Sequence, residues 1–342
     1  MELLLLVSLL AAPGASVDGL DAATRAALKN GPWTITSVAP PQAGLRPNDY
    51  YSEAPYWWPD PKDPKAPFLR RDGETFPQRF DAHRRLFGEM YKNLLALGLR
   101  ASLLHDKQAL RRGEEVARVW FLRESTRMNP HLEYGQAIRN RNSGRSAGII
   151  DTRGLIWAVE GLQRLEQAGG FTKVERAALR SWCAEYARWL TESKIGAAEG
   201  DAKNNHGTWW AGQVLALAHY TENRALRDRV YARIKERMIP GQIRANGACP
   251  QEEARTKSLS YSAMNLDGWA VVATLAQRDG IDLWEYRTAA SGSIRDAVRY
   301  VAPFVAAPET WKGKQIAPFE GKNLLFVVLD RAARGEAVRL LP

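Results

Sequence analysis

The chain has little of several things that would narrow its chemistry. Its 342 residues include only two cysteines, Cys183 and Cys249, and five histidines. Two thiols cannot build a disulfide scaffold or a cysteine-rich zinc site. His83, His105, His131, His206 and His219 stand at no metal-ligand spacing, so neither a metal nor a cofactor is expected. No apolar run reaches the roughly 20 residues that a membrane-spanning helix needs. No long stretch alternates apolar and polar residues, and no motif recurs at a fixed period, which sets aside β-rich folds and regular repeat arrays. Acidic residues are outnumbered 38 to 48, a net charge of +10. With 45% hydrophobic residues the composition is that of a folded globular chain.

What is present begins with a short apolar run, Leu3 to Ala12, followed by Pro13-Gly14-Ala15-Ser16. It is too short to cross a bilayer and fits a signal peptide cut near residues 14–16, although Glu2 stands where a basic residue is usual. A buried first helix is the alternative. The first reading divides the chain into a leader, 1–16, and one domain, 17–342. It places the mature protein in the periplasm or outside the cell, with no stable membrane insertion after cleavage. The positive charge calls for an anionic partner. For an exported protein, an acidic polysaccharide suits that charge better than a nucleic acid does.

From residue 80 onward apolar residues recur at three and four, as in Leu86, Phe87, Met90, Tyr91, Leu94 and Leu95. Helices are expected near 80–104, 107–124, 152–168, 172–194, 205–221, 223–238, 261–278, 290–306 and 322–335. Turn residues separate them, among them Gly169-Gly170, Pro240-Gly241 and Asn246-Gly247. Serial helical hairpins over 80–335 predict an all-α fold, either a solenoid or an (α/α) toroid. Two stretches depart from this pattern. Residues 31–79 form a proline-punctuated arm too rich in aromatics for a free coil, and 129–151 is rich in Asn, Arg and Gly.

Four segments could carry chemistry. In Asn204-Asn205-His206-Gly207-Thr208-Trp209-Trp210, either Asn204 or Asn205 can cap a helix, which puts His206 in the first turn. There the helix field favours a neutral imidazole, able to act as a base. A capped helix with a core His and packing tryptophans would read the same way. In Glu252 to Ser262, Arg255 and Lys257 precede a helix that opens near Tyr261, and Tyr261 and Asn265 share a face. A Tyr beside cations can transfer protons. Equally, Tyr261 could simply pack while Arg255 pairs with Glu252. The third segment holds Gln136, Arg139, Arg141, Arg145 and Arg153, with Asp151 or Thr152 as a helix cap. The fourth is the arm, where Tyr56, Trp57 and Trp58 offer ring faces and Arg70 and Arg71 offer guanidinium forks for carboxylates.

Read together, DYYSEAPYWWPDP, RRDGETFP, GIIDTRGL, NNHGTWW and EEARTKSLSYS resemble the alginate-lyase-like polysaccharide lyases. The resemblance runs from about Asn48 to Trp311. It implies an incomplete (α/α) toroid and β-elimination on a 1,4-linked polyuronate, either alginate (polymannuronate) or glucuronan. It also implies a catalytic group of Asn205, His206, Arg255 and Tyr261. Substrate contacts are then expected from Tyr56, Trp57, Trp58, Arg70, Arg71, Gln136, Arg145, Arg153, Trp209 and Asn265. The chain departs from the family pattern at Cys249, Gln251 and Glu253, and at Arg139, where a proline is expected. Two other classes compete. An (α/α)-barrel glycoside hydrolase would use a carboxylate pair from Asp151, Glu252 and Glu253. A non-catalytic binder would keep the arginines and tryptophans and need no His/Tyr pair.

Overall fold

The computed structural model describes residues 18–336 apart from 30, 32, 64, 320, 322 and 323. The leader expected at 1–16 lies outside the described residues. About 59% of the structure is helical, and the four strands among the described residues have two to four residues each, so the fold is all-α as the periodicity requires. The chain divides into two compact units. One comprises 18–199 and 216–222; the other comprises 200–215 and the described part of 223–342.

The first unit holds α1 (Asp18–Lys29), α2 (Ala82–Leu104), α3 (Lys107–Ala117), α4 (Leu155–Gln167), α5 (Lys173–Glu192) and nearly all of α6 (Lys194–Gly200). Helix α1 escaped the sequence reading because its inward stripe, Leu20, Ala23 and Ala27, is mostly alanine and gives a weak signal. Polar caps set the other helix starts. The Asp106 carboxylate accepts the Gln108 and Ala109 N–H groups at the start of α3. Thr172 and Glu175 form a reciprocal capping box at the start of α5. A hydrogen bond from Arg118 and the Thr172 backbone hold the Glu175 carboxyl down at about 2. Helices α2 and α4 pack backbone to backbone. A Cβ at Gly161 would stand 2.4 Å from the Leu94 carbonyl oxygen, and one at Gly98 would stand 2.5 Å from that of Gly161.

The arm is not a lone extended strap. Strand β1 (Tyr51–Glu53) pairs in parallel with β4 (Tyr134–Ala137), and β2 (Trp57–Trp58) pairs antiparallel with β3 (Leu69–Arg70). His83 on α2 pins the arm from beneath. Its Nδ1 accepts the Tyr51 N–H at 3.0 Å, so its Nε2 carries the proton and donates to the Val38 carbonyl at 2.8 Å. Burial lowers the His83 pKa, because a charged imidazole would lose its hydration.

The second unit is built around α11 (Ser258–Gln277), which is buried over most of its surface, including Leu259, Leu266, Trp269 and Val272. Against it pack α12 (Ile294–Ala306), opened by a Ser293/Asp296 capping box, and α13 (Leu325–Ala333), whose Phe326 N–H donates to the Asp267 carboxylate. The remaining helices are α8 (Arg224–Arg233), α9 (Ile239–Gln242) and α10 (Pro250–Glu253). Helix α7 (Asn205–Tyr220) begins in this unit and ends in the other. Cys183 and Cys249 are both free and buried, so no bridge joins them, and burial raises both thiol pKa values.

Two outcomes follow from the packing of α2. Gly161→Val should cost at least ~1–3 kcal/mol through overpacking against the Leu94 backbone. Gly88→Ala, in open space on α2 itself, should be neutral or stabilising by up to ~1 kcal/mol; urea melts of the two variants compare them. His83 has a depressed folded pKa, so its contribution is complete above its ordinary value of 6.5 and is lost as the pH falls through the folded value. Melting temperatures taken from neutral to acidic pH should show a steeper fall for the wild type than for His83→Gln.

Candidate active site

The start of α7 poses a problem that its sequence solves. The first N–H groups of a helix have no partner within the helix. Asn204 satisfies one of them as the cap, its Oδ1 accepting the His206 N–H at 3.3 Å, while its carbonyl accepts the first bond within the helix, from the Thr208 N–H. The N–H of Asn205 goes elsewhere, to the Glu252 carboxylate at 2.5 Å, and the Asn205 Nδ2 donates to both Glu252 oxygens at 3.0 and 2.9 Å. Both residues are fully buried. Burial raises the Glu252 carboxyl pKa, opposed by the Asn205 hydrogen bonds and by the charges of Arg255 and His206.

Glu252 also ties this turn to the next motif, since its own carbonyl accepts the Arg255 N–H at 3.0 Å. The Arg255 guanidinium carbon lies 3.7 Å from the centroid of the Tyr261 ring. Tyr261 stands in the first turn of α11, and the segment after α12 fixes that turn. The Ser258 N–H and hydroxyl both donate to the Lys314 carbonyl, the Trp311 indole donates to the Ser258 hydroxyl, and the Leu259 N–H donates to the Gln315 side chain. The four residues singled out by the resemblance therefore fall in one unit. His206, Arg255 and Tyr261 are half-buried, with Asn205 enclosed behind them.

Sequence reasoning missed Glu252 as the link. It was weighed only as an ion partner of Arg255 or as a hydrolase carboxylate. The available signal was an acid three residues before the Arg in a motif otherwise rich in cations and hydroxyls. Asn205, placed in the catalytic group by the resemblance, here donates to Glu252. Asn265 and Trp209, expected to touch substrate, also lie inside. Asn265 accepts from the Thr208 hydroxyl at 2.8 Å and donates to Gln242 at 3.3 Å, while the Trp209 indole donates to the Met264 carbonyl. Gln242 in turn donates to the Asn204 carbonyl, so this polar network supports the start of α7 from below.

The other expected contact residues lie in the first unit, and one of them, Gln136, bonds Asp151 directly. The buried Asp151 carboxylate is not the cap of α4, which starts at Leu155 after Gly154. It accepts instead from the Ser52 hydroxyl at 2.6 Å, the Gln136 amide at 2.9 Å and the Tyr50 hydroxyl at 3.2 Å. Gln136, held at a positive φ of 51°, accepts from Arg145 through both its side-chain and main-chain oxygens, at 2.7 and 3.2 Å. Burial lowers the Arg145 pKa, opposed by Glu199 and Asp151. Arg153 donates to the Ile150 carbonyl. In the arm, guanidinium groups cover the tryptophan rings, Arg141 over Trp57 and Arg71 over Trp58, each at 4.9 Å. Arg70 is exposed and pairs with Asp72, and the half-buried Tyr56 accepts the Arg71 N–H through its carbonyl. Arg139 makes a two-pronged bond to the buried Glu53, 2.7 Å on each prong. Among the described residues no group of three or more His, Cys, Asp or Glu is arranged to hold a metal ion.

These observations define an all-α protein with His, Arg and Tyr gathered at two neighbouring motifs over a buried Asn–Glu pair. Residues 36–311 match the family described as alginate lyase, and the chain belongs to that family. It is 31% identical to an alginate lyase of Bacteroides ovatus of known structure, over 93% of this chain and 85% of that one, with a TM-score of 0.87. An alginate lyase of Sphingomonas species A1 shares the fold at 17% identity and a TM-score of 0.60, covering 95% of this chain and 89% of that one. The fold class is therefore that of these helical-toroid proteins. An alginate lyase of Pseudomonas syringae pv. syringae is 25% identical over 192 residues, 56% of this chain and 42% of its own length. Another, from strain B728a, is 34% identical over 84 residues, 24% of this chain and 22% of its own length. The matches thus span less than half the length of these curated relatives.

Substitutions at Asn205 test the buried pair. Asn205→Ala should cost ~1–3 kcal/mol, because the buried Glu252 carboxylate loses its side-chain donor. Asn205→Asp should cost more at neutral pH, because it sets a second carboxylate against the first. Its penalty should shrink on acidification as the pair takes up a proton. Thermal melts of both variants at neutral and mildly acidic pH read the difference.

Proposed function

We propose that the protein is a polysaccharide lyase that cleaves a 1,4-linked polyuronate by β-elimination, leaving an unsaturated uronate at the new non-reducing end. Alginate, as polymannuronate, is the leading substrate, and glucuronan is the alternative polymer. The observation that carries this reading is the stack of Arg255 on Tyr261, in the same unit as His206 and above the Asn205–Glu252 pair. Family membership supports the same reading.

Elimination requires loss of the proton at C5 and departure of O4 from C4. The C5 proton is poorly acidic while the adjacent carboxylate keeps its full charge, so the site must neutralise that carboxylate and the enolate-like intermediate. Arg255 suits this task. Stacking on Tyr261 engages the face of its guanidinium, whereas carboxylate recognition uses its edge. His206 assists, and Asn205 stands behind both. A base must reach C5 and an acid must reach O4. For D-mannuronate or D-glucuronate the two atoms lie on one side of the ring, and Tyr261 serves as base and then acid. For L-guluronate they lie on opposite faces, with His206 as base and Tyr261 as acid. Carboxylate recognition elsewhere on the polymer is assigned to Arg70, Arg71, Arg145 and Arg153. Tyr56, Trp57, Trp58 and Gln136 shape the surfaces that present them. The leader at 1–16 would deliver the protein to the periplasm or the medium, and no helix of the described residues is long and apolar enough to cross a membrane.

Purified protein incubated with a panel of polyuronates should generate the ultraviolet absorbance of unsaturated uronate ends. Reducing ends without that absorbance would mean hydrolysis. Binding with neither product would mean a carbohydrate-binding protein. Tyr261→Phe removes one hydroxyl and keeps the ring under Arg255. It should lower kcat on the order of 10²–10⁴-fold with polymer binding and melting temperature nearly unchanged. A fully active Phe variant would remove Tyr261 from the mechanism.

A further inference from the structure

We propose that Glu252 is a positioning residue of the elimination site, acting as the joint that holds the His206 turn and the Arg255–Tyr261 stack in register. The inference rests on the lyase reading above and assigns a role that the reading itself does not need. Three features carry it. The Glu252 side chain accepts both the main-chain N–H and the Nδ2 of Asn205, so it caps α7 from outside the helix at the residue just before His206. The Glu252 main chain accepts the Arg255 N–H, so the same residue fixes the point at which the stacked arginine leaves the chain. The carboxyl group is also fully buried, so the two Asn205 hydrogen bonds must replace the water it gives up.

A buried carboxylate is costly unless it is satisfied by hydrogen bonds. Such a group persists where its geometry matters, and here three donors on two elements converge on one residue. An anion at a helix N-terminus is also favoured by the helix dipole, so the contact has one stable orientation. The carboxylate further decides which way the Asn205 amide lies. Turning that amide over would set its oxygen against the two Glu252 oxygens, so Nδ2 is held inward and the Asn205 Oδ1 is left buried without a hydrogen-bond partner. The two motifs that hold the reacting groups, Asn204–Trp210 and Glu252–Ser262, meet at this residue. Displacing it would move His206 and Arg255 relative to one another. Misplacement of reacting groups by about 1 Å costs on the order of 10²-fold in rate.

The test compares Glu252→Gln and Glu252→Asp with the wild type on the preferred polyuronate. It measures kcat and KM from the absorbance of unsaturated ends, and melting temperature as a check on folding. Glu252→Gln keeps the shape but loses the charge and one acceptor. Its kcat should fall about 10²-fold, while KM stays within a few-fold and the protein remains folded at the assay temperature. Glu252→Asp keeps the charge on a shorter arm and should recover part of that loss. A Gln variant with wild-type kcat would overturn the positioning role while leaving the lyase reading intact. So would a loss of activity that merely followed a loss of folded protein, or an Asp variant no better than Gln. If the wild type eliminates from no polyuronate on the panel, the lyase reading fails and the role of Glu252 in it falls too.

Discussion

The contact between Glu252 and Asn205 is the constraint around which the candidate site is arranged. It places a carboxyl group where water cannot reach, and such burial survives only with good hydrogen bonds. Asn205 supplies two donors, and the start of α7 supplies the field that favours an anion there. Everything above it inherits that geometry. His206 is the next residue along the helix. Arg255 leaves the chain from the turn that Glu252 closes, and Tyr261 lies beneath the Arg255 guanidinium.

The first unit repeats the pattern with different residues. Asp151 is its buried anion, satisfied by Ser52, Gln136 and Tyr50, and it orders a cation, Arg145, through Gln136. Both anions lie within motifs that resemble the family, and both act through an amide side chain. An amide suits the task because it donates to the carboxylate with one end and offers an acceptor with the other. In each case half-buried residues that the sequence marks as functional are held by a buried anion that the sequence marks only as a cap, an ion partner or a hydrolase carboxylate.

The arm shows how composition can be right while the detail is not. Most of its aromatics do leave solvent, as their density required, although Trp33 stays exposed. Tyr50 and Tyr51 are buried, and β1 pairs with β4. Trp57 and Trp58 do not offer bare faces, because Arg141 and Arg71 lie over them. Arg139, where the resemblance leads one to expect proline, grips the buried Glu53 and fastens the 138–142 turn to the arm. A proline there would have no side-chain donor for that carboxylate.

The sequence alone determined the helices. Periods of three and four over long windows report which side of a helix is buried, and all nine helices expected after residue 80 are present. It also supplied the candidate set, because five ordered motifs resemble a family to which the chain belongs. It could not show α1, whose stripe is largely alanine, nor the short strands of the arm, which exist only through partners distant in sequence. Nor could it distinguish residues facing outward from those turned in. Asn205, Trp209, Asn265 and Gln136 are the same polar and aromatic types that line a carbohydrate site, yet each is buried. Tertiary structure decided that, because a hydrogen bond between Asn205 and Glu252, or between Gln136 and Asp151, depends on where two chain segments meet. Neither segment records that meeting in its own pattern.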